Sequence, residues 1–395
     1  MSLQLEERMA TESAAVPPPK RSRALPYVVV ALAIGLALLP FADVPLPGVF
    51  GGDLSSPGTL QILAVGLVFA GLAMSYDLLL GYTGLLSLGH ALYFALGIYG
   101  TNMLMVYGGV PYVGAVGITL VGVALVATVL GSVVLRVRGV AFAMVTLAFA
   151  EAFHVLVESD PLSISGGEEG LPLSGEHIPD LFTGVVNIRW VYWLALLFAL
   201  LVFAIARQAV QSRAGRVWQA IRENEDRVEL LGLVPFGFKL MSFGLSATLA
   251  AGGGAVYLLV IRGANPETAS AIFTLNVIVM VVLGGLGRLW GAALGGLLFG
   301  YLSLRLPDLQ RTGAFDGLPP WLEGPLTEPM FILGVIFVVL VMFAPGGLAS
   351  LPERLGLDRL GIRRRRGSGG DEGGSDEAGG PAGEDDDARV ERGRE

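Results

Sequence analysis

Two acids and a histidine have the spacing in this chain that most suggests a metal site or another functional cluster. Glu151, His154 and Glu158 fall at i, i+3 and i+7 within an apolar stretch, so a helix would place them on one face. A Glu-x-x-His pair can ligate a metal, but carboxylate di-metal sites need two such motifs and further acids. The other histidines, His90 and His177, form no second copy. The spacing therefore favours a polar cluster near the outer end of a span, and a role in a solute path stays open.

Composition excludes several kinds of catalysis. The chain contains no cysteine, which rules out disulfides, thiolate metal sites and cysteine nucleophiles. Lysine occurs only at Lys20 and Lys239, and neither belongs to a Gly-x-x-x-x-Gly-Lys-[Ser/Thr] motif, so the chain cannot form a P-loop. If nucleotide drives this protein, another chain must hydrolyse it. We predict no enzymatic activity, no cofactor and no nucleic-acid partner.

One charged segment, residues 207–239, interrupts the apolar sequence, and we call it the polar segment. Its central part mixes both signs of charge with apolar residues at roughly helical spacing: Arg222, Glu223, Glu225, Asp226, Arg227 and Glu229, with Val217, Ile221, Val228 and Leu231. This pattern predicts a short amphipathic helix, which binds either lipid or a partner protein. The mixed charge favours a protein groove, because helices that bind anionic lipid are enriched in Lys and Arg alone.

A glycine-rich stretch, residues 81–90, joins two apolar runs. Its glycines permit close backbone approach, and its polar side chains, Tyr82, Ser87 and His90, offer hydrogen bonds inside a helix bundle. We take these three as candidates for the solute path. The alternative is that the stretch serves only helix packing, with the hydrogen bonds of His90 satisfied inside the bundle. Asp77 lies one helical turn earlier, near the end of its helix, and is expected to reach water.

Two other stretches are rich in glycine. Residues 284–300 repeat glycine at i and i+4, which favours a tight helix contact or the end of a half-helix. Residues 165–170 read Ser-Gly-Gly-Glu-Glu-Gly and predict a turn that exposes Glu168 and Glu169. Such a turn suits contact with an extracytoplasmic partner or is a plain solvated loop.

Membrane-spanning helices must position these residues. Hydrophobic residues make up 53% of the chain and charged residues only 15%, and the mean hydropathy is +0.66, whereas typical soluble domains carry about 25% charged residues. The composition predicts an all-α polytopic membrane protein of about ten helices, each of the roughly 20 residues that cross a bilayer. The predicted spans are 24–42, 60–80, 85–106, 110–135, 140–157, 190–206, 238–261, 271–287, 289–304 and 330–343. The runs that begin at Leu85, Ala271 and Leu289 contain glycines and have short connections, so one or two can be re-entrant.

The first run, 24–42, has the basic flank of either a signal peptide or a first span. No Ala-x-Ala-like cleavage site follows it, and Pro40 and Pro45 stand where cleavage would occur. This favours an uncleaved span.

Arginine placement predicts the orientation of the spans. Ten spans put both termini in the cytoplasm, together with Arg136, Arg138, the polar segment and the turn at 284–288. The same count puts an acidic loop, 159–189, outside, and residues 159–188 contain no Lys or Arg. Arg305 and Arg311 are exceptions, because they precede the last span on the outer side.

Together these stretches resemble the permease family of branched-chain amino acid ABC importers, on the LivM side of the permease pair. The likeness runs from about Leu60 to Phe343 and follows the family order of four stretches, which are residues 81–90, residues 165–171, the polar segment, and the glycine-rich stretch that begins at residue 284. The specific part is Ala-Ile-Arg-Glu-Asn-Glu at residues 220–225, followed by Leu-Gly at 231–232. Each glycine motif is weak by itself.

The resemblance implies an importer assembled from several chains. This permease and a LivH-like second permease would form the path, two ABC ATPase subunits would lie below it, and a solute-binding protein would deliver the solute from outside. The polar segment would be the coupling helix, with Arg222, Glu223, Asn224 and Glu225 at the ATPase and Gly232 ending the helix as a C-cap. The implied location is the cell membrane, in contact with its lipid.

The expected organisation has three parts. Residues 1–23 form a cytoplasmic N-terminal segment, and residues 24–350 form the transmembrane permease domain, with the coupling loop at 207–239 and the extracytoplasmic loop at 159–189. Residues 351–395 form a cytoplasmic basic stretch and an acidic tail. The tail contains too few apolar residues to bury a core, so we expect it to be disordered.

Alternatives remain at this point. An ion-coupled secondary carrier using Glu151 and His154 would need no ATPase. The urea and short-chain amide branch of the same family would share the ABC architecture, and the charged outer turn leaves the substrate open. An enzyme within the membrane would need a nucleophile–base pair or a metal set, which the sequence lacks.

Overall fold

A computed structural model of the chain describes residues 25–42, 52–173, 175–184, 187–311, 329–343 and 346–350. The predicted N-terminal segment, 1–23, and the predicted basic stretch and acidic tail, 351–395, lie outside these residues. Helices dominate the described part: α1 (Leu25–Leu38), α2 (Pro57–Asp77), α3 (His90–Val106), α4 (Tyr112–Val134), α5 (Val140–Ser159), α6 (Ile188–Gln211), α7 (Arg213–Glu223), α8 (Glu225–Leu230), α9 (Pro235–Ile261), α10 (Ala271–Gly284), α11 (Leu289–Arg311) and α12 (Pro329–Phe343).

Each predicted apolar run coincides with one of these helices, although the boundaries differ. Six helical stretches in the described part are long and apolar enough to cross a membrane: Pro57–Tyr82, Tyr112–Val134, Val140–Ser159, Ile188–Gln211, Pro235–Ile261 and Leu289–Pro307. The chain is therefore a multi-pass helical membrane protein. α10 has 14 residues and is about 21 Å long, which is less than the roughly 30 Å of a hydrocarbon core. The predicted count of ten spans is not confirmed.

The central helix of the bundle is α2. It packs against α6, α9, α10 and α11, and every residue from Ala64 to Asp77 is buried. After Asp77 it continues as a π-helical turn, Leu78–Tyr82, a feature found mostly at functional sites. A helix with no exposed face is positioned by its neighbours on all sides, so its end is a rigid point for other segments to contact.

Glycines explain how closely α11 approaches its neighbours. A Cβ added at Gly296 would overlap the backbone oxygen of Phe69 in α2, and one added at Gly295 would overlap that of Met280 in α10. Small residues bring helix backbones together in membranes, where lipid supplies no hydrophobic driving force for association. The predicted tight helix contact in residues 284–300 is therefore present.

The connections between helices lie at two opposite ends of the bundle. Arg138, between α4 and α5, pairs with acids of the polar segment, and the turns at residues 81–84 and 285–288 contact the same segment. We call this the polar-segment end. At the opposite end a short antiparallel pair joins β1 (Leu171–Pro172) to β2 (Gly263–Ala264).

Candidate functional site

The middle of the polar segment forms a helical insert, α7 and α8, held against the bundle by its apolar face, while residues 207–211 end α6 and residues 235–239 begin α9. The Ser212 side chain caps α7 by accepting a hydrogen bond from the Gly215 N–H at 3.2 Å. Trp218 is completely buried, and its indole N–H donates to the Phe238 carbonyl at 2.8 Å. Ile221 is also buried, while the opposite face of α7 is charged. The amphipathic pattern thus fixes which side of the insert faces the bundle.

The insert contains two helices, whereas the sequence pattern predicted one. Asn224 has extended backbone angles and ends α7, and its side chain accepts a hydrogen bond from the Arg227 N–H at 2.9 Å, which caps α8. Two acids in the first turn of α8 complement the helix dipole. An Asn that caps a new helix competes with continuation of the old one, and this is the physical reason for the break.

Gly232 ends α8, and the predicted cap geometry is present. Its φ is +81°, its N–H donates to the Glu229 carbonyl, and the Leu233 N–H reaches back to the Val228 carbonyl. This pair of hydrogen bonds is a Schellman motif. The motif favours glycine at position 232 because the backbone there has a left-handed conformation. The cap turns the chain sharply towards α9.

Arg222, at the end of α7, joins the insert to two glycine turns. Its guanidinium donates a hydrogen bond to the Gly81 carbonyl at the end of the π-helical turn. A Cβ added at Gly84, whose φ is +78°, would meet the Arg222 side chain at 3.1 Å, and one at Gly287 would meet its guanidinium at 3.1 Å. Three stretches that are separate in sequence, residues 81–84, 220–225 and 284–288, therefore meet around one side chain.

Asp77 lies beneath the same contact. Its side chain is fully buried, and its Oδ1 accepts a hydrogen bond from the Gly287 N–H at 2.8 Å. The expectation that Asp77 reaches water is wrong, because the turn between α10 and α11 covers it. No local pattern indicated this contact, since the two residues are 210 positions apart in the sequence. The carboxylate ties the end of α2 to that turn.

A second anchor holds α8. The Glu225 carboxylate lies 2.5 Å from Nζ of Lys239 and 3.4 Å from the guanidinium of Arg138. Arg138 also pairs with Asp226 at 3.3 Å and Glu229 at 3.0 Å. These carboxylates, that of Glu225 first, raise the pKa of Arg138 above its ordinary value. Lys239 is buried, so Glu225 is the group that makes its burial tolerable.

The outward side of the insert is not covered by the described residues. Leu230, Leu231 and Val234 are 88%, 75% and 70% exposed, and Glu223 is exposed without an ion pair or side-chain hydrogen bond among the described residues. Exposed large apolar side chains beside charges are typical of surfaces that bind another protein. The insert is thus fastened on one side and exposed on the other.

The candidate path residues Tyr82, Ser87 and His90 do not line one surface. Nε2 of His90 lies 3.0 Å from Oγ of Ser75, and the Ser87 hydroxyl accepts from the Gly89 N–H at 3.3 Å. Both side chains are buried between helices. Tyr82 lines a separate cavity between α6 and α11. Their role in a solute path stays a prediction.

Glu151, His154 and Glu158 share one side of α5, as the spacing predicted. Nε2 of His154 lies 3.8 Å from the Glu158 carboxylate, and its Nδ1 is 3.1 Å from the Pro266 carbonyl. Glu151 is exposed. Among the described residues, no group of three or more His, Asp or Glu side chains is placed to hold a metal ion.

The turn at residues 165–170 is organised by Asp160. Its carboxylate accepts hydrogen bonds from the N–H groups of Ile164, Ser165 and Gly166 at 2.8–3.1 Å. These bonds, that from Ser165 first, hold the pKa of Asp160 below its ordinary value. Glu168 and Glu169 follow in a short 3₁₀ turn and are exposed.

A helical bundle whose described part contains six helices able to cross a membrane, with an amphipathic insert fastened to its central helix, belongs to the class of multi-pass membrane proteins. Residues 58–344 match the family described as the branched-chain amino acid transport system permease component. The chain belongs to this family, which confirms the resemblance seen in the sequence. The family is one of transport permeases.

Similar proteins come from bacteria and from an archaeon. The high-affinity branched-chain amino acid transport system permease protein LivM of Escherichia coli K12 is 26% identical over 318 residues, covering 75% of this chain and 71% of that protein. The probable LivM of Methanocaldococcus jannaschii is 24% identical, covering 75% and 95%. LivH of E. coli K12 is 24% identical, covering 62% and 87%. No solved structure matches the chain.

Proposed function

We propose that this chain is one permease subunit of an ATP-binding-cassette importer for branched-chain amino acids. The observation that carries the proposal is the insert: its inner side is tied to the central helix through Arg222 and Gly81, and its outer side presents apolar and charged residues to water. Family membership supports a transport role. The relatives named LivM and LivH support branched-chain amino acids as the solute.

The insert is the proposed coupling element. Arg222, Glu223, Asn224 and Glu225 form the junction between α7 and α8, and Gly232 sets the direction in which the chain leaves it. The exposed leucines of α8 would enter a groove on an ATPase subunit. Closure of two such subunits would move the insert as a rigid body, and the contacts of Arg222 and Asp77 would pass that movement to α2 and α11.

The proposed orientation places the polar-segment end in the cytoplasm of a cell-membrane protein. Arg136, Arg138, Arg207 and Arg288 all lie at this end, as the positive-inside rule requires of cytoplasmic connections. We further propose that α1, α3, α10 and α12 complete ten membrane passes, with α10 short or re-entrant, and that both termini are cytoplasmic. Residues 24–350 would be the permease domain, flanked by a cytoplasmic segment and an acidic tail.

The solute path would lie between this chain and a LivH-like second permease. Glu151 supports this, because it is exposed on a helix whose same side carries exposed apolar residues such as Met144 and Val155. A carboxylate in an apolar span faces a partner or a water-filled cavity rather than lipid. The side of α5 bearing Glu151 would therefore face the path, with His154 beside it. Tyr82, Ser87 and His90 remain candidates for shaping the path from within the bundle.

The opposite end would receive a solute-binding protein. The turn that exposes Glu168 and Glu169 is held in one shape by Asp160, and β1 fastens the following residues to β2. A rigid, acidic, exposed turn suits a basic patch on a delivering protein. This turn is the proposed contact.

Reconstitution tests the proposed function. The full chain, purified from its host with an affinity tag, should retain a second permease and ATPase subunits. In proteoliposomes with its solute-binding protein, the complex should take up leucine when ATP is supplied and no ion gradient is present. Competition by unlabelled isoleucine and valine, but not by urea or acetamide, would support the solute. Uptake that depends on an ion gradient and persists without any ATPase chain would instead identify a secondary carrier.

A further inference from the structure

An apolar cavity of about 320 Å³ opens between α1, α2, α6 and α11. Every described residue that lines it is apolar, for example Leu36, Met74, Leu200 and Leu294. Its volume falls in the range of ligand pockets, about 300–1,000 Å³. An apolar cavity does not hold ordered water, because water needs polar partners. An extended polypeptide would leave its backbone groups without hydrogen bonds there. Hydrocarbon is the occupant that satisfies this lining.

A second cavity of about 290 Å³ adjoins the first at the polar-segment end. The two share Phe203 and Trp290 in their walls. Arg207 and Arg288 line the second cavity together, and none of the described residues that line it is acidic. The pair thus forms one groove that is apolar in the depth of the bundle and basic at its end.

Arg207 has no hydrogen bond or ion pair with any described residue, and its side chain is half-buried. A guanidinium beside apolar walls is costly unless an anion accompanies it. Its fork of N–H donors matches the oxygens of a phosphate in a bidentate manner. Arg288 lines the same cavity and donates a hydrogen bond to the Ala349 carbonyl at 2.7 Å. Both arginines line this cavity, and the oxygens of a phosphate are the acceptors that match their guanidinium groups.

Trp290 stands where the two cavities meet and is 41% exposed. Tryptophan is enriched at the level of lipid headgroups, because its ring is apolar and its N–H is polar. Its position marks the boundary between hydrocarbon and headgroup in the groove. Charge and polarity therefore change along the groove as they do along a phospholipid.

From this geometry we propose that the groove binds one anionic phospholipid, with an acyl chain between α1, α2, α6 and α11 and the headgroup phosphate between Arg207 and Arg288. The lipid would fill the space beside α2 and rest against the turn that carries Gly287, which also contacts Asp77 and Arg222. The site does not depend on the solute or on the ATPase subunits.

Native mass spectrometry of the full chain tests the site. The protein is incorporated into nanodiscs of mixed phosphatidylglycerol and phosphatidylcholine, released, and examined for retained lipid. We expect one phosphatidylglycerol to be retained preferentially. Arg207→Gln and Arg288→Gln should each weaken retention about fivefold, and the double variant about 30-fold, since each basic residue near the surface contributes on that order. Arg216→Gln, a charge-matched change on the exposed face of α7, should retain lipid like the unaltered chain.

The apolar half needs its own variant. Ala293→Leu places added side-chain volume in the groove and should reduce retention while both arginines remain, whereas Ala148→Leu on the exposed side of α5 should not. Inorganic phosphate at millimolar concentration should fail to displace the lipid, because it lacks an acyl chain. Equal retention by the double arginine variant, displacement by phosphate alone, or a photo-crosslink from position 294 to a polypeptide in place of lipid would overturn the proposal.

Discussion

Arg222 in α7 donates a hydrogen bond to the backbone carbonyl of Gly81, which lies 141 positions earlier at the end of the central helix. The acceptor is a main-chain atom, and a Cβ added at position 81 would overlap the Asp77 carboxylate and the backbone nitrogen of Gly287, so the contact requires glycine there. The insert is therefore joined to the backbone of α2 itself. The bond links the position of α7 to that of α2.

The first prediction concerns this bond. Arg222→Gln should lower ATP-driven uptake by about tenfold, because a hydrogen bond to a charged donor contributes about 1.5–3 kcal/mol. Uptake and ATP hydrolysis would be measured on the same proteoliposomes. Arg213→Gln, at the first turn of α7, is the matched control and should behave like the unaltered protein. Unchanged uptake by Arg222→Gln in an intact complex would contradict the coupling role.

The second prediction concerns the anchor of α8. Glu225→Gln removes the counter-charge of the buried Lys239 and should destabilise the folded chain by about 1–3 kcal/mol, since a buried donor loses its partner. Glu223→Gln, two residues earlier and without an ion pair among the described residues, should change stability by less than about 0.5 kcal/mol. Thermal unfolding in detergent compares the two. Equal midpoints would show that the Lys239 pair contributes nothing.

The third prediction concerns helix packing. Gly296→Ala should destabilise the bundle by about 1–3 kcal/mol or more, because its Cβ would overlap the backbone of Phe69 and overpacking forces the helices apart. Gly244→Ala is the control, since a Cβ there has open space around it and alanine favours a helix. Gly296→Ala should lower the unfolding temperature. Gly244→Ala should raise it or leave it unchanged. A stable Gly296→Ala chain would contradict the close α2–α11 contact.

The fourth prediction is a pH dependence of the outer turn. The folded-state pKa of Asp160 is below its ordinary value, so its contribution is complete above the unfolded pKa of about 3.9 and is lost as pH falls through the folded value. Amide exchange at residues 164–166, corrected for intrinsic rates, should be slow and constant from pH 7 to 5 and accelerate below about pH 4. Asp160→Asn should exchange faster at pH 7 and lose the acid-induced change. A turn that protects these amides equally in both proteins would contradict the role of Asp160.

The sequence was sufficient for features set by local composition. The apolar runs became helices, and the polar segment stood out because charges are rare elsewhere. Asn224 followed by two acids was a readable N-cap signal that would have predicted the break between α7 and α8. The burial of Asp77 had no such signal, because its partner Gly287 reaches it only after α10 and α11 have packed. Likewise, nothing near Tyr82 in the sequence indicated that it faces away from Ser87 and His90.

The burial of α2 has a consequence for how the chain is made. The helix is apolar enough to enter the bilayer early, but its partners α9, α10 and α11 are synthesised much later, and Gly296 lies more than 200 residues beyond Phe69. Until then α2 must be surrounded by lipid or by a chaperone. During synthesis, therefore, the later helices pack around α2 after it has entered the membrane. A nascent chain that ends before α11 would leave the face of α2 that packs against α11 exposed to the quality-control machinery of the membrane.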